Sequence, residues 1–189
     1  MRKHTIVALV EDRPGVLNRI ASKWRQRGFN IESLAVGHSE VPGLSRMTFT
    51  VDGTTTDVDQ VAKQMYKLIE VVKVSDLTEH EIVHRELGLI KVNAAPKDRS
   101  GIVEIVDIFR AKIVDVATDS LIVEVTGTED KVDAFLEMLR PYGIKELVRT
   151  GRIAMTRGAG TPTTVDGGHG QEHRYKPAGE GKPKVGTLI

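Results

Sequence analysis

The chain has 189 residues, 40% of them apolar and 28% charged, so it can bury a core and is not disordered throughout. Its 27 Lys and Arg against 26 Asp and Glu leave a formal charge of +1, which gives no electrostatic reason to expect nucleic acid. It contains no cysteine and no apolar run near the roughly 20 residues that cross a bilayer, which excludes disulfides, cysteine-bound zinc and a membrane span.

The first predicted elements are a buried strand and an amphipathic helix. The apolar run His4–Val10 predicts the strand, and it ends in Glu11 and Asp12 without a cleavage site, so we expect a cytoplasmic protein without a signal peptide. Pro14 is predicted in the first turn of the helix, and Gly28 is predicted to be the residue just after its end. The predicted apolar stripe of this helix consists of Leu17, Ile20, Ala21 and Trp24.

Two strands, a second helix and a fourth strand complete this first module. The strands are FNIESLAVGHS and the alternating run around Phe49, and the closing strand is EVVKVSDL. The second helix, capped by Asp57 or a nearby threonine, carries one apolar face: Val58, Val61, Ala62, Met65, Leu68 and Ile69. The resulting order βαββαβ predicts a ferredoxin-like fold with both helices on one face of the sheet, so the other face must be wet or covered by a partner.

The same order recurs in a second module. We predict the first module at 1–79, a linker at 80–85, the second module at 86–157 and a disordered tail at 158–189. In the second module ELGLIKVNA, KIVDVAT, SLIVEVTG and IKELVRTGRIAM are the predicted strands. The tail holds eight glycines and three prolines, which cannot bury enough apolar surface to offset the entropy of ordering. The whole chain is therefore predicted as an α+β protein with two ferredoxin-like domains.

The linker contains HEIVH, from His80 to His84, which matches the H-E-x-x-H zinc motif. A zinc protease needs both histidines on a sustained helix and a third ligand further on, and so short a linker holds at most about two helical turns. We therefore interpret these histidines as solvated linker residues and predict no metal site. His169 and His173 of the tail receive the same interpretation.

The segment most suggestive of binding is EDRPGVLNRI, at the first strand-to-helix junction. Free backbone N–H groups at Gly15, Val16 and Leu17 would point to the positive end of the helix and could bind a carboxylate. Asp12 could meet an ammonium group, and the amide of Asn30 offers both a donor and an acceptor. These groups suit a free amino acid. The alternative is purely structural: a tight Pro-Gly turn and a strand-entry asparagine.

Longer stretches of the chain resemble a known family. PGVLNRI, RGFNIESL, PGLSRMT and YKLIEVVKV are similar to the N-terminal ACT domain of the small, regulatory subunit of acetolactate synthase (acetohydroxyacid synthase). RELGLIKV, DIFRAKIVDV, VTGTEDKVDAFLEML and RTGRIAM resemble the C-terminal domain of that subunit. The resemblance covers nearly all of residues 3–158.

The resemblance implies a non-catalytic subunit that binds L-valine or a related branched-chain amino acid, inhibits a separate catalytic chain and also enhances its activity. It implies no cofactor on this chain; thiamine diphosphate, magnesium and FAD are expected on the catalytic partner. ACT domains of the family pair side by side with the effector at the dimer interface. One copy would contribute Asp12, Pro14, Gly15, Val16 and Leu17, and the other would contribute Asn30 and Ile31. Asp12 departs from the asparagine often found there.

Two other functions are compatible with parts of the pattern. An amino-acid-sensing ACT module could control a different enzyme or a transcription factor, although no helix-turn-helix or basic patch accompanies it. An enzyme in its own right would rest on the HEIVH run alone.

Overall fold

The computed structural model describes residues 3–52 and 58–158 of the chain. The predicted helix cap Asp57 and, apart from Gly158, the whole predicted tail lie outside the described residues. Within the described ranges, no helix is long and apolar enough to span a bilayer.

The first module has the predicted βαββαβ order. Its elements are β1 (Lys3–Glu11), α1 (Val16–Gln26), β2 (Ser33–His38), β3 (Leu44–Asp52), α2 (Val58–Met65) and β4 (Val71–Asp76). The strands form a four-stranded sheet in the order β2-β3-β1-β4, with antiparallel neighbours throughout. This is the strand order of the ferredoxin-like fold, and β2 lies at one edge of the sheet.

The second module repeats that arrangement. Its elements are β5 (Ile82–Asn93), α3 (Arg99–Ile108), β6 (Lys112–Val116), β7 (Ser120–Gly127), α4 (Glu129–Leu139) and β8 (Ile144–Arg149), followed by β9 (Ile153–Thr156). The sheet order β6-β7-β5-β8 corresponds strand for strand to that of the first module. The predicted α+β class and the two ferredoxin-like domains are therefore confirmed.

The core of the first module lies between its helices and one face of its sheet. Ile6 and Phe49 are cross-strand partners on that face, and neither side chain is exposed to solvent. Trp24 of α1 stacks on Phe49 with the ring centroids 4.8 Å apart. On β1, Ile6 faces the helices and Thr5, Val7 and Leu9 lie on the opposite face, because successive strand side chains point to opposite faces.

Helix α1 buries a different stripe from the predicted one. The buried residues are Val16, Ile20 and Trp24, at i, i+4 and i+8, whereas Leu17 is 43% exposed. The prediction placed Leu17 and Ala21 in the core because both stripes have helical spacing, and only the tertiary packing distinguishes them. Leu17 is consequently an apolar side chain left at the surface beside the start of the helix.

Helix α2 matches its predicted face over its own length and then stops early. Val58, Val61 and Met65 are buried, and the helix ends at Met65. Leu68 lies beyond that end and still packs partly on the core, but Ile69 is 70% exposed. The prediction was wrong for Ile69 because the chain leaves helical geometry before reaching it.

The predicted linker at 80–85 is largely strand. β5 begins at Ile82, and its first four residues pair with β9, from Ile82 opposite Thr156 to Arg85 opposite Ile153. The segment predicted as one closing strand, IKELVRTGRIAM, is accordingly two strands, β8 and β9, separated by a turn at Gly151. The second module thus extends a two-stranded ribbon back toward the first.

This ribbon covers part of the sheet face that was predicted to be wet or to face a partner. Ala154 of β9 and Ile82 of β5 pack with Val7 and Leu77 in a small apolar cluster. Val7 is buried on the face of β1 opposite the helices, which explains why β1 is apolar on both sides. The two modules therefore share a packed contact as well as a chain connection.

Candidate functional site

The β1–α1 junction turns through a glycine in a left-handed conformation. Gly15 has φ +86° and is the residue at which α1 begins to form. Pro14 therefore precedes the helix rather than occupying its first turn, which corrects the prediction. Among the described residues, apart from the chain neighbours and the backbone of α1 itself, no heavy atom lies within 4 Å of the position that a Cβ on Gly15 would take, so the space above it is open.

Backbone donors are left free at this end of the helix. The N–H of Val16 makes a long 3.4 Å contact with the Arg13 carbonyl oxygen. Within the described residues, the N–H groups of Gly15 and Leu17 have no hydrogen-bond acceptor. Free donors and the positive end of the helix together favour an anionic group here. The exposed side chain of Leu17 adds apolar surface beside these free N–H groups.

Asp12 is engaged by His38, a residue that the sequence patterns do not reveal as its partner. The carboxylate Oδ2 of Asp12 lies 3.0 Å from Nδ1 of His38, the last residue of β2. The backbone N–H of Asp12 donates to the Gly43 carbonyl oxygen at 2.8 Å, which anchors the β1–α1 loop to the β2–β3 turn. No local pattern links Asp12 to His38, because their contact depends on the strand order. The junction therefore lies beside the C-terminal end of β2.

Asn30 and Ile31 lie at the opposite end of α1. Asn30 is exposed in the segment between α1 and β2, and Ile31 is half-buried against the core. The 11 residues of α1, rising about 1.5 Å each, separate this segment from Gly15 by roughly 16 Å. A single copy of the chain therefore does not bring the two halves of the predicted site together.

An apolar hollow of about 360 Å³ lies elsewhere, between β2 and the β5–β9 ribbon. Its lining includes the apolar Val36, Val83 and Met155 and the charged Arg46 and Arg85. None of the seven predicted site residues lines it. It is a second place where a small apolar ligand could bind, and a binding experiment must distinguish it from the β1–α1 junction.

The HEIVH residues do not share a helix. His80 is exposed in the turn after β4, and His84 is half-buried in β5, so the one-turn spacing that a zinc motif needs is not present. Among the residues that the structure describes, no group of three or more His, Asp or Glu could hold a metal ion. The prediction of a solvated linker histidine was wrong for His84.

The surroundings of His84 make it a source of pH-dependent stability. Burial lowers the pKa of its imidazole below the usual value of 6.5, and the charges of Arg152 and Arg85 lower it further, against smaller opposing effects of Glu129 and Asp130. The unfolded chain therefore binds this proton more readily than the folded chain. The associated stability is present above about pH 6.5 and is lost as the pH falls through the folded-state pKa.

We expect His84→Gln to flatten the decline in thermal stability in the range of about pH 5–7. The measurement is the melting temperature across that range. His80→Gln is the matched control, since it removes an exposed histidine of the same segment and should leave the profile unchanged. An unaltered slope in His84→Gln would show that another group is responsible.

The tandem βαββαβ modules, with the open strand–glycine–helix junction in the first, define an ACT-type regulatory protein. A family model described as an AHAS small subunit-like ACT domain matches residues 6–73, and one described as the small subunit of acetolactate synthase matches residues 85–158. The chain belongs to the acetolactate synthase small subunits, a family of regulatory subunits carrying an ACT domain. This confirms the resemblance noted in the sequence.

Individual relatives agree with that assignment over nearly their whole length. The chain is 60% identical over 156 residues to a probable acetolactate synthase small subunit of Archaeoglobus fulgidus, covering 82% of this chain and 98% of that protein. It is 51% identical to the acetolactate synthase small subunit of Bacillus subtilis, covering 82% and 91%. The crystal structure of the Thermotoga maritima small subunit superposes with a TM-score of 0.77 at 44% identity, covering 84% and 99%.

Proposed function

We propose that this chain is the regulatory subunit that makes an acetolactate synthase sensitive to L-valine, or to a related branched-chain amino acid, through a site formed between two copies of its first module. The observation that carries the proposal is the position of β2. It is an edge strand whose two ends lie beside the two separated halves of the predicted site.

Antiparallel pairing of two β2 edges would unite those halves. The end of β2 at His38 contacts Asp12, beside the α1 start, whereas the beginning at Ser33 follows Asn30 and Ile31. In a two-fold pair the beginning of one strand lies against the end of the other. The start of α1 in one copy is then close to Asn30 of its partner. An exposed edge strand is also the part of a sheet most ready to pair with another chain.

The groups brought together in this way match valine chemically. The α-carboxylate would accept hydrogen bonds from Gly15 and Leu17 N–H at the helix start. The ammonium group would pair with the carboxylate of Asp12, and the Asn30 amide would complete the polar contacts. Leu17 and Ile31 offer apolar surface to the isopropyl group. A ligand held by both copies stabilises the pairing that forms its own pocket.

Regulation then requires a partner. We propose a catalytic acetolactate synthase subunit as that partner, carrying the thiamine diphosphate, magnesium and FAD, with no cofactor on this chain and a cytoplasmic location for the complex. Valine changes the partner's activity only by the difference in its affinity for the active and inhibited arrangements. A coupling of about 1–3 kcal/mol would correspond to a 5–150-fold effect. The same docking would also raise the activity of the unliganded catalytic subunit.

Calorimetric titration of the full chain tests the effector site. We expect saturable binding of L-valine with a dissociation constant near 0.1 mM, about −5.5 kcal/mol, and no heat with D-valine, because the carboxylate and ammonium contacts are stereospecific. L-Leucine and L-isoleucine rank the branched-chain specificity. Sedimentation in the same buffers should show that valine shifts the protein toward the dimer.

Asn30→Ala distinguishes binding at this site from binding in the apolar hollow beside β2. We expect the variant to fold normally and to lose at least tenfold in valine affinity, whereas Asn93→Ala, which removes an exposed asparagine of the second module, should bind like the parent. Full valine affinity in Asn30→Ala would contradict the assigned site and favour the hollow. Absence of binding in the parent dimer and in its reconstituted complex would contradict the proposed function.

A further inference from the structure

A charged cluster joins the two modules across their interface. The Nζ of Lys3 on β1 lies 3.0 Å from Glu129 Oε1 in the first turn of α4, and 3.3 Å from Glu32 Oε2. The guanidinium of Arg152, between β8 and β9, donates to Glu129 Oε2 at 2.5 Å and to the Thr5 hydroxyl at 2.9 Å. Glu129 therefore contacts the first module directly at Lys3 and, through Arg152, at Thr5.

The Arg152–Glu129 pair of this cluster is largely buried, whereas the Lys3 side chain is 40% exposed. Only 13% of the Arg152 side chain and 21% of that of Glu129 are exposed. The Nε of Arg152 is buried and, within the described part of the chain, has no hydrogen-bond partner. Charges partly removed from water interact more strongly than surface pairs and depend more steeply on geometry.

Both ends of the cluster carry their charges at neutral pH. The hydrogen bond to Glu129 raises the pKa of the Lys3 ammonium, against a smaller effect of burial. Burial raises the pKa of the Glu129 carboxyl, but the hydrogen bonds and charges of Lys3 and Arg152 outweigh it, so the pKa is lowered overall. The attraction across the interface is thus present throughout the physiological range.

The cluster is also attached to the proposed effector site. Glu32 and Ser33 immediately follow Asn30 and Ile31 in the chain. The backbone N–H of Arg152 makes a long 3.5 Å hydrogen bond to Ser33 Oγ. Gly151, at φ +76°, packs so closely that a Cβ there would lie 3.0 Å from the Cβ of Ser33. Because Ser33 lies directly against Gly151 and accepts a hydrogen bond from Arg152, movement of the β2 entry on ligand binding is expected to shift the β8–β9 turn.

We infer that this cluster, Lys3, Glu32, Glu129 and Arg152 with the Ser33–Gly151 contact, transmits occupancy of the effector site in the first module to α4 and β9 of the second module. The inference rests on the proposed function, since it assumes that an amino acid binds at Asn30 and Ile31. It assigns to the second module the role of a responding element rather than a passive extension.

Hydrogen exchange of the full chain with and without L-valine tests this transmission. In the parent protein we expect valine to slow exchange at residues 28–36 and, about fivefold, at residues 127–133 and 150–156, the lower end of ordinary allosteric coupling. In Glu129→Gln the first region should still respond, while the response of the other two should disappear. Lys3→Met should weaken the same response.

Two matched variants control for the loss of any ion pair. Glu137→Gln removes a carboxylate of the same helix that pairs with Arg140 at 2.8 Å, wholly within the second module. Lys145→Met removes a lysine that pairs with Asp119 at 2.7 Å, again within that module. Both should keep the full response. Melting curves of all four variants establish that they are folded at the temperature used.

The outcomes separate the inference from the function on which it rests. Protection of residues 28–36 in the parent and in Glu129→Gln, with equal protection of the second module in both, would overturn the cluster as the link. Protection confined to the first module of the parent would overturn it as well. No valine-dependent change anywhere in the parent, alone or with its catalytic subunit, would overturn the proposed effector site itself.

Discussion

Phe49→Ala is expected to lower the free energy of unfolding of the first module by about 3–5 kcal/mol. The side chain is completely buried between sheet and helices, and its ring stacks on Trp24. Truncation removes apolar area and leaves a cavity that close-packed neighbours can fill only in part. Denaturant titration followed by the fluorescence of Trp24, the sole tryptophan, reports directly on this module.

Phe135→Ala is the corresponding change in the second module. Phe135 is equally buried and packs against Phe109 with the ring centroids 5.2 Å apart, so its truncation should cost a similar amount. If the modules unfold separately, only Phe49→Ala shifts the Trp24 transition. If the contacts of Val7 with Ala154 and the charged cluster make the modules one cooperative unit, both variants shift it. A shift below about 1 kcal/mol in Phe49→Ala would contradict the close packing of Phe49 in this core.

The parts of the fold that could be predicted are those encoded by short periodic patterns. The strand of His4–Val10 and the βαββαβ order of both modules follow from two-residue and helical periodicities that are local in sequence. Gly28 was correctly placed just after α1, where it has φ +69°. The choice of stripe on α1 was less well determined, because Leu17 and Val16 are adjacent and both apolar. Only the packing of Trp24 on Phe49 selects between them.

The parts that could not be predicted depend on contacts between distant segments. The four residues at the start of β5 resemble a linker because their strand partner, β9, lies about 70 positions later in the chain. The ion pairs of Glu129 with Lys3 and Arg152 span 126 and 23 positions. No composition or spacing rule signals a pairing over such separations when each residue alone resembles a solvated surface charge.

The candidate site also combines locally encoded features, which could be predicted, with contacts between distant segments, which could not. Free backbone donors at Gly15 and Leu17 could be anticipated, because helix starts always carry them. His38 could not, because its contact with Asp12 depends on β2 being placed at the sheet edge. The separation of Asn30 from Gly15 in one copy was also invisible to composition. In the proposed arrangement a second copy paired along β2 brings Asn30 of one chain close to Gly15 of the other, so a complete site requires a dimer.

Gly15→Asp is expected to reduce valine affinity by more than tenfold, about 1.4 kcal/mol, and to remove feedback inhibition of the reconstituted enzyme. The new carboxylate would occupy the open space above the α1 start, where the free N–H groups would hold the carboxylate of the ligand. The two negative charges would repel each other in a partly enclosed site. The left-handed φ of Gly15 adds strain of about 1–2 kcal/mol to the variant, so stability must be measured alongside binding.

Gly158→Asp is the control for the backbone strain and the added negative charge of Gly15→Asp, because it introduces both at a position outside the proposed site. Gly158 has φ +75°, and among the described residues other than its chain neighbours no heavy atom lies within 4 Å of its Cβ position, so an aspartate there meets the same backbone strain. It follows β9 in the second module, next to Arg157, whose N–H donates to the Glu81 carbonyl oxygen, and it is not one of the proposed effector-site residues. Both variants should therefore lose comparable stability, while only Gly15→Asp loses valine binding. Equal valine affinity in the two variants would mean that the start of α1 does not hold the carboxylate of valine. The new carboxylate in Gly15→Asp would otherwise repel that group and compete with it for the free N–H groups.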